Sequence, residues 1–557
     1  MAVLMNLPNE IIHHILSYIK SDGETNIFLL RQINHRFNAH ITPLFYENFT
    51  IPYETYASFP SILKSTVFNP ENENVGYIRR LSIRTYISDS ESRHRCLGDV
   101  DPFAEHLGGV REGFKNDMKK DIEGLIGRLR VNQLVGFECT VYQLVDYKSL
   151  LSTQRSLQQL FVNPVELVPH ILSAPNEVLP CLQNLYLDGF RPFHESQHQL
   201  LAKTLIQPYA SKLAVLSIDL SEDTSDGSPS IHHLNEILET SKTWVNTNAG
   251  PATQEPEVIS LEFPELQELS IHGCHKFNPE FGFIQIPIFD KLFPLTSLKR
   301  LTITHCTQFN QTYNFWPTAF PSLTHLHIER SLTVNRVAAI LANSPQLSHI
   351  HLSQIPKSTS PSASFRRAAL WRHFRSLESL WLGHRHISVQ GLLIRPRMSR
   401  KMYIHYLGKY FRNLREIAVG VPIEGLFSGT KTPTWGTLPA LRLLRVLEQP
   451  TTPEPAPEPV TAPMSPSEAI KKIWTMRSEQ SRFKMEAYPK EFWFMSGIWR
   501  VPVYSVAKTS TVEIFKSWIG EGGEVVIKKV GFGEARRAFP DSLILGAERD
   551  RPMWETP

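Results

Sequence analysis

The sequence predicts an α/β fold: a short helical segment, then a solenoid of strand-containing repeats, then a carboxyl-terminal capping segment. Two observations support the repeats and the short helical segment that precedes them. A leucine-centred pattern, apolar–x–x–apolar–x–apolar, recurs along the chain, whereas the first fifty residues show the four-residue spacing of helices. A third observation is a run of prolines after residue 449, which separates the repeats from the final segment.

Composition limits the class of protein. The 557 residues are 41% hydrophobic and 20% charged, as in globular chains long enough for several domains. A net charge of +4 without a dense basic stretch gives no indication of nucleic-acid binding. No apolar run predicts a membrane span, and no signal peptide is expected. Five scattered cysteines are typical of a reducing compartment, so we expect a cytoplasmic or nuclear protein, or both.

The amino-terminal segment is predicted to form helices with apolar faces. Apolar residues recur every four positions in two runs, Ile11, Ile15, Ile19 and Leu29, Ile33, Phe37, Ile41. The second helix is expected to end at Pro43 or just before it. About forty residues are too few to bury both faces internally. The helices therefore either cap the following domain or dock on another protein.

Specific residues favour docking. Leu7-Pro8 is followed by Glu10, by Ile15-Leu16-Ser17-Tyr18-Ile19 and by Ile33-Asn34-His35-Arg36-Phe37. This run resembles an F-box, and Leu44-Phe45-Tyr46 is similar to fungal-type members. The resemblance covers about residues 1–50. It implies that the segment binds the Skp-family adaptor of a cullin–RING ubiquitin ligase. The adaptor-binding residues it implies are Leu7, Pro8, Ile11, Ile15, Leu16, Leu30 and Ile33.

The repeated pattern predicts twelve strands. Its central residues are Leu81, Phe137, Leu160, Leu185, Leu216, Leu269, Leu301, Leu326, Ile350, Leu380, Ile417 and Leu444. Each central residue begins an apolar–x–apolar alternation typical of a strand with one buried side, and the apolar residue three positions earlier packs at the corner. One such unit cannot bury its face, but a stack of them forms a continuous core.

The spacing is that of leucine-rich repeats. Central residues are 25 apart from 160 to 185 and from 301 to 326, within the usual period for such repeats. Leu266–Cys274 and Leu298–Cys306 fit the cysteine-bearing form, and residues 335–342 predict a helix between strands. An ordinary α/β domain could supply two or three such triplets by chance, but twelve favour the solenoid.

Domain limits follow from composition. We expect an F-box at 1–50 and a repeat solenoid at 75–449, with inserted loops near 88–120 and 221–257. A proline-rich linker follows at 450–466. The final segment, 467–557, is expected to contain a charged helix at 467–482 and a strand at 525–527. It is expected to cap the last repeats, because an open repeat end exposes apolar edge.

Candidate chemical motifs are better explained structurally. His272, Cys274, His275, His305 and Cys306 invite a metal site, but the two cysteines occupy the buried turn after the strand and the histidines do not share a register. The glycine-rich run 520–524 lacks the lysine of a phosphate-binding loop and is expected to be an ordinary loop. We therefore predict no catalytic residue, no metal ligand and no cofactor.

Residues between the strand leucines are the candidate binding surface. Strand alternation turns these side chains away from the core, onto the side where repeat proteins commonly bind partners. The positions that we expect to contact a target are Tyr186, Thr302, His327, His351 and Trp381.

The function implied by the resemblance is that of a non-enzymatic substrate-recognition subunit of an SCF-type cullin–RING E3 ubiquitin ligase. One alternative is a repeat scaffold that binds proteins without causing their degradation. A second is an enzyme with its active site in 467–557, which would require a pocket of convergent ionisable groups there. The sequence does not identify the target protein.

Overall fold

A computed structural model describes most of the repeat region. The described residues are 35–53, 60–84, 110–139, 141, 144–162, 179–187, 209–219, 263–272, 296–304, 320–329, 331–332, 334–353, 370–383, 410–419, 438, 440–448, 464–479, 488–498, 513–539 and 542. All seven predicted adaptor-binding residues lie outside these ranges, as do the expected loop at 221–257 and residues 450–463 of the expected linker.

The described strands belong to two compact units, Met1–Pro294 with Glu548–Pro557, and Leu295–Ala547. The first unit contains β1 Asn48–Pro52, β2 Arg80–Arg84, β3 Gly136–Cys139, β4 Gln159–Val162, β5 Asn184–Leu187, β6 Val215–Asp219 and β7 Glu268–His272. The second contains β8 Arg300–Thr304, β9 His325–Glu329, β10 His349–Ser353, β11 Ser379–Gly383, β12 Glu416–Val419, β13 Leu443–Glu448, β14 Glu491–Ile498, β15 Glu513–Ile519 and β16 Val525–Val530.

Helices are fewer than strands among the described residues. The α-helices are α1 His35–Glu47, α2 Pro60–Ser65, α3 Val110–Arg128, α4 Tyr147–Thr153, α5 Val334–Asn343, α6 Pro466–Glu479 and α7 Phe532–Ala538. Short 3-10 helices lie at Glu73–Tyr77, Ala210–Lys212 and Leu370–His373. Residues 335–342 were predicted to be helical, and α5 confirms this.

Within each unit the strands lie side by side in chain order. β1 to β7 pair in parallel in the first unit, and β8 to β14 pair in parallel in the second. β15 and β16 then add in antiparallel orientation. Neither set closes into a barrel. The mixed α/β class is therefore confirmed, whereas the division into F-box and leucine-rich-repeat solenoid stays a prediction.

All twelve strands predicted from the leucine pattern are present, as β2 to β13. Their pattern residues form the core: around β8, for example, Leu298, Leu301 and Ile303 are almost completely buried. In register, the central leucines of neighbouring strands face one another, as Leu301 faces Leu326. Each added strand therefore extends one continuous apolar layer.

A turn before several strands lengthens the pattern by one buried residue. Phe263 and Phe320 lie three positions before the first leucine of their repeats and are fully buried. The backbone N–H of Leu266 donates to the carbonyl of Phe263 at 3.1 Å. A proline follows Phe263 and Phe320, at the second turn position, where its fixed φ is favourable. The aromatic ring therefore anchors the corner through which the chain enters the strand.

The expected end of the second amino-terminal helix was wrong. Helix α1 does not end before Pro43 but continues through it to Glu47. Burial of the Ile41, Leu44 and Tyr46 side chains offsets the lost backbone hydrogen bond. The Thr42 hydroxyl also donates to the carbonyl of Asn38, at 2.7 Å within the same turn.

The expected inserted loop near 88–120 is helical in its second part, because α3 covers Val110–Arg128. Buried apolar residues recur at helical spacing in α3; they are Met118, Ile122, Leu125 and Ile126. The many charges between them hid this pattern. The earlier part of that loop, 85–109, lies outside the described residues.

Strand β14 continues the parallel sheet of the second unit. β14 pairs with β13, with Leu444 opposite Phe494. Helix α6 and strand β16 agree with the predicted helix and strand, whereas β1, β14 and β15 were not predicted. Arg477 of α6 is fully buried, donates to the carbonyl of Leu441 at 2.7 Å and lies over the Phe492 ring. Because burial outweighs its contact with Tyr488, the pKa of Arg477 falls to about 10.

Among the helices of the described ranges, none is both long enough and apolar enough to cross a membrane.

Candidate functional site

Each unit has a polar face, meaning the side of its strands that points away from the leucine core. In the second unit, the strand register places one residue from each of six neighbouring strands in a single row. We call this the stacked row; its members are Thr302, His327, His351, Trp381, Ala418 and Arg445. Four of the five predicted target-binding residues therefore lie side by side.

The rings of the stacked row lie face to face. The centroids of His327 and His351 are 3.8 Å apart, and those of His351 and Trp381 are 4.0 Å apart. The guanidinium carbon of Arg445 lies 4.8 Å from the Trp381 ring centroid, in cation–π geometry. Neighbouring strands are about 4.8 Å apart, so in-register planar side chains need little adjustment to stack.

A second row, one pleat away, begins at Arg300 and contains another stacked pair. His325 and His349 have ring centroids 4.2 Å apart and are nearly parallel. Burial, together with the nearby His349 and Arg300, lowers the pKa of His325 to about 3. His325 is therefore a neutral imidazole at physiological pH, which removes charge repulsion from the pair.

The same second row also contains a buried carboxyl group, that of Glu416. Glu416 Oε2 accepts a hydrogen bond from Ser379 Oγ at 3.1 Å and another from Ser542 Oγ. Burial raises the pKa of Glu416 to about 7, although both hydroxyl donors and Arg442 act in the opposite direction. This carboxyl group therefore titrates near neutral pH.

The carboxyl-terminal segment covers one end of this polar face. We define this segment as α7 with Phe539 and Ser542. The Phe539 ring packs edge-on against Trp493 with centroids 5.7 Å apart, and Arg442 lies against it. Ala535 and Phe539 join an apolar cluster with strand residues of the polar face, which are Trp381, Ala418, Leu443, Trp493 and Met495. The segment thus buries the end of the face formed by β11 to β14.

The first unit builds its polar face differently. Its row contains Thr50, Ser82, Glu138, Phe161, Tyr186, Ser217 and Ser270. Glu138 is 1% exposed and pairs with Arg84, whose Nε donates to Oε1 at 2.7 Å. Ser82 Oγ donates to the other oxygen of Glu138 at 3.0 Å. Beyond this ion pair, Phe161 and Tyr186 stack with centroids 6.0 Å apart.

The five predicted target-binding residues differ in their accessibility. Tyr186 lies on the first unit and is half-buried, as are Thr302 and His327 on the second. His351 and Trp381 are each only 1% exposed. A partner could reach Trp381 only after displacing the carboxyl-terminal segment that shares its apolar cluster.

Sequence reasoning missed several residues of this face. Glu329 and Arg445 share the alternation of the predicted residues and could have been found by aligning the repeats, where His325-Leu-His327-Ile-Glu329 precedes His349-Ile-His351 by 24 residues. Glu416 was missed because its partner Ser542 is 126 residues away in sequence, so no local pattern joins them.

The other polar motifs singled out in the sequence have structural roles or lie outside the description. The run 520–524 forms the loop between β15 and β16, as predicted, and Gly523 has φ of 81°, which favours glycine. His272 lies at the end of β7, whereas Cys274, His275, His305 and Cys306 fall outside the described residues.

The function of the chain has to be inferred from these observations, because sequence comparison gives no match. No protein-family profile matches the chain, and no curated protein sequence matches it either. The half-exposed side chains of the two polar faces, which include Tyr186, Thr302 and His327, are those that a partner could contact directly.

Proposed function

We propose that the chain is the substrate-recognition subunit of an SCF-type cullin–RING E3 ubiquitin ligase. Residues 1–50 would dock as an F-box on the Skp-family adaptor, and the leucine-rich repeats would bind a target protein. The resemblance of residues 1–50 to an F-box suggests that the chain joins a cullin–RING ligase. The in-register rows of side chains on the polar faces support a role in binding a target protein.

The in-register rows of side chains are the main support for the proposal that the repeats bind a target protein. Leucine positions repeat from strand to strand, whereas the positions facing away vary from serine to tryptophan and arginine. A regular core with a varied opposite face allows binding residues to change without disturbing the fold. Tyr186, Thr302 and His327 are the predicted contacts that are already partly accessible.

The chain would act by proximity and perform no chemistry itself. A target held on the repeats is presented to the ubiquitin-conjugating enzyme at a raised effective concentration, so transfer becomes effectively intramolecular. Ubiquitin transfer would be catalysed by other subunits, and no cofactor is needed on this chain.

The adaptor-docking half is tested by co-purifying the full chain with the Skp-family adaptor. A Leu7→Ala/Pro8→Ala/Ile11→Ala variant should lose at least tenfold in affinity, because it removes three apolar contacts from the proposed docking face. The matched control is Tyr77→Ala/Val131→Ala, which truncates exposed apolar residues elsewhere, and it should bind like wild type.

Equal binding by wild type and the amino-terminal variant would contradict the docking proposal, as would no binding by the wild-type chain. Circular dichroism melts of the three proteins should coincide, which ensures that a loss of binding is not a loss of folding.

A further inference from the structure

We propose that His327, Glu329 and His351 form a binding site for a divalent transition-metal ion of the zinc class. The inference does not depend on the proposed ligase function. His327 and Glu329 are two residues apart on β9, so their side chains project from the same face. His351 lies directly opposite His327 on β10. Three potential ligands from two neighbouring strands therefore converge above one point of the sheet.

The distances suit a site that closes around an ion. One ligand atom from each residue lies within 4.8 Å of the other two, and His327 Nε2 is 3.9 Å from Glu329 Oε2. Tetrahedral zinc with bonds of about 2.1 Å places its ligand atoms roughly 3.4 Å apart. The rings of His327 and His351 are stacked with their planes inclined at 26°, so at least one ring would have to turn about χ2 before nitrogen atoms of both rings could bind the same ion.

The donor set selects the class of metal. Two imidazoles and one carboxylate suit zinc and its neighbours in the first transition row, whereas calcium and magnesium prefer oxygen ligands. His351 is 1% exposed and is backed by the Trp381 ring, whereas the side chains of His327 and Glu329 are each 17% exposed. Three protein ligands leave a fourth position, which a water molecule or a group of a bound partner can occupy.

The competing explanation is that stacked histidines simply fill space on this face. The neighbouring pair His325 and His349 provides the matched control, because it comes from the same two strands and has the same stacking. That pair lies in the row of Ser379 and Glu416, on the far side of the His327 row from Glu329. Packing alone would make the two pairs equivalent, whereas metal binding distinguishes them.

The test is titration of the full chain with Co²⁺, followed by displacement with Zn²⁺. We expect one Co²⁺ per chain with the visible absorption of a tetrahedral nitrogen–oxygen site and without thiolate charge-transfer bands. His351→Gln and Glu329→Gln should each weaken binding at least tenfold. His349→Gln should bind Co²⁺ like wild type. Zinc should raise the Tm of wild type and of His349→Gln only.

Glu329→Gln alters a partly exposed side chain and keeps its shape, so it provides a reading even if His351→Gln fails to fold. The proposal is overturned if wild type takes up no stoichiometric Co²⁺, or if thiolate bands place the ion on cysteine. It is equally overturned if His349→Gln loses as much binding as His351→Gln, or if Glu329→Gln binds like wild type.

Discussion

The two units share one leucine core pattern but bury their polar faces by different means. In the first unit, a buried ion pair between Arg84 and Glu138 occupies one end of the face. In the second unit, planar rings stack along the row, and the chain's own carboxyl-terminal segment covers β11 to β14. The backbone ladder is similar in both, so the difference lies in the residues that face away from the core.

This difference indicates that the buried leucine positions determine the fold, whereas the residues on the opposite face can differ between the two units. A buried ion pair is costly to break, because the remaining charge is left without a partner in a poorly solvated site. A buried aromatic stack contributes mainly through apolar area and packing. The stability of the two faces should therefore respond to different substitutions and to pH in different ways.

The largest expected effect is on the second unit. Trp381→Ala should lower the free energy of unfolding by about 4 kcal/mol, because it empties a large fully buried site between His351 and the carboxyl-terminal segment. Urea unfolding measures the loss. Hydrogen exchange should show lost protection in β10 to β12, with β2 to β4 as the internal reference. A change below about 1 kcal/mol would mean that the row is loosely packed.

The first unit should respond most to a broken ion pair. Arg84→Met leaves Glu138 buried without its guanidinium partner and should cost about 3 kcal/mol. The double variant Arg84→Met/Glu138→Gln removes both charges and should recover much of that loss. If the single and double variants are equally destabilised, packing rather than charge holds this end of the face.

Glu416 should make the stability of the second unit depend on pH. Its folded-state pKa of about 7 lies above the ordinary value of 4.5, so the folded protein binds this proton more tightly than the unfolded chain does. The resulting stabilisation is complete below pH 4.5 and is lost as the pH rises through 7. It should amount to about 3 kcal/mol.

Glu416→Gln removes this titration while keeping the side chain's shape. The difference in unfolding free energy between wild type and Glu416→Gln should therefore change steadily between pH 4.5 and 7, and be flat outside that range. A difference that is independent of pH throughout would place the pKa of Glu416 near its ordinary value, with the carboxylate accessible to water.

Most of the strands could be predicted from the sequence, because the alternation of apolar residues in a strand is a local pattern. Burial of alternate residues leaves a pattern around centres such as Leu301 and Leu326, and all twelve strands predicted in this way are present. The same parity placed Thr302, His327, His351 and Trp381 on one face, and the register aligns them in one row.

The remaining features depend on contacts that a local pattern does not encode. Helix α1 continues through Pro43 because tertiary burial offsets the cost. The carboxyl-terminal segment covers Trp381 through residues that are far away in sequence, such as Phe539. The buried state of Trp381 and the raised pKa of Glu416 follow from that docking, so neither could be read from the strand pattern.

The most direct test of the proposed receptor function is the half-life of the proteins that the chain captures in cells. Targets would be identified by pull-down with the ligase blocked, and their half-lives then measured beside wild type and the Leu7→Ala/Pro8→Ala/Ile11→Ala variant. The proposal predicts that both forms capture the same proteins, and that these proteins are degraded faster only with wild type. Equal half-lives with both forms would contradict it and would favour a binding scaffold that does not lead to degradation.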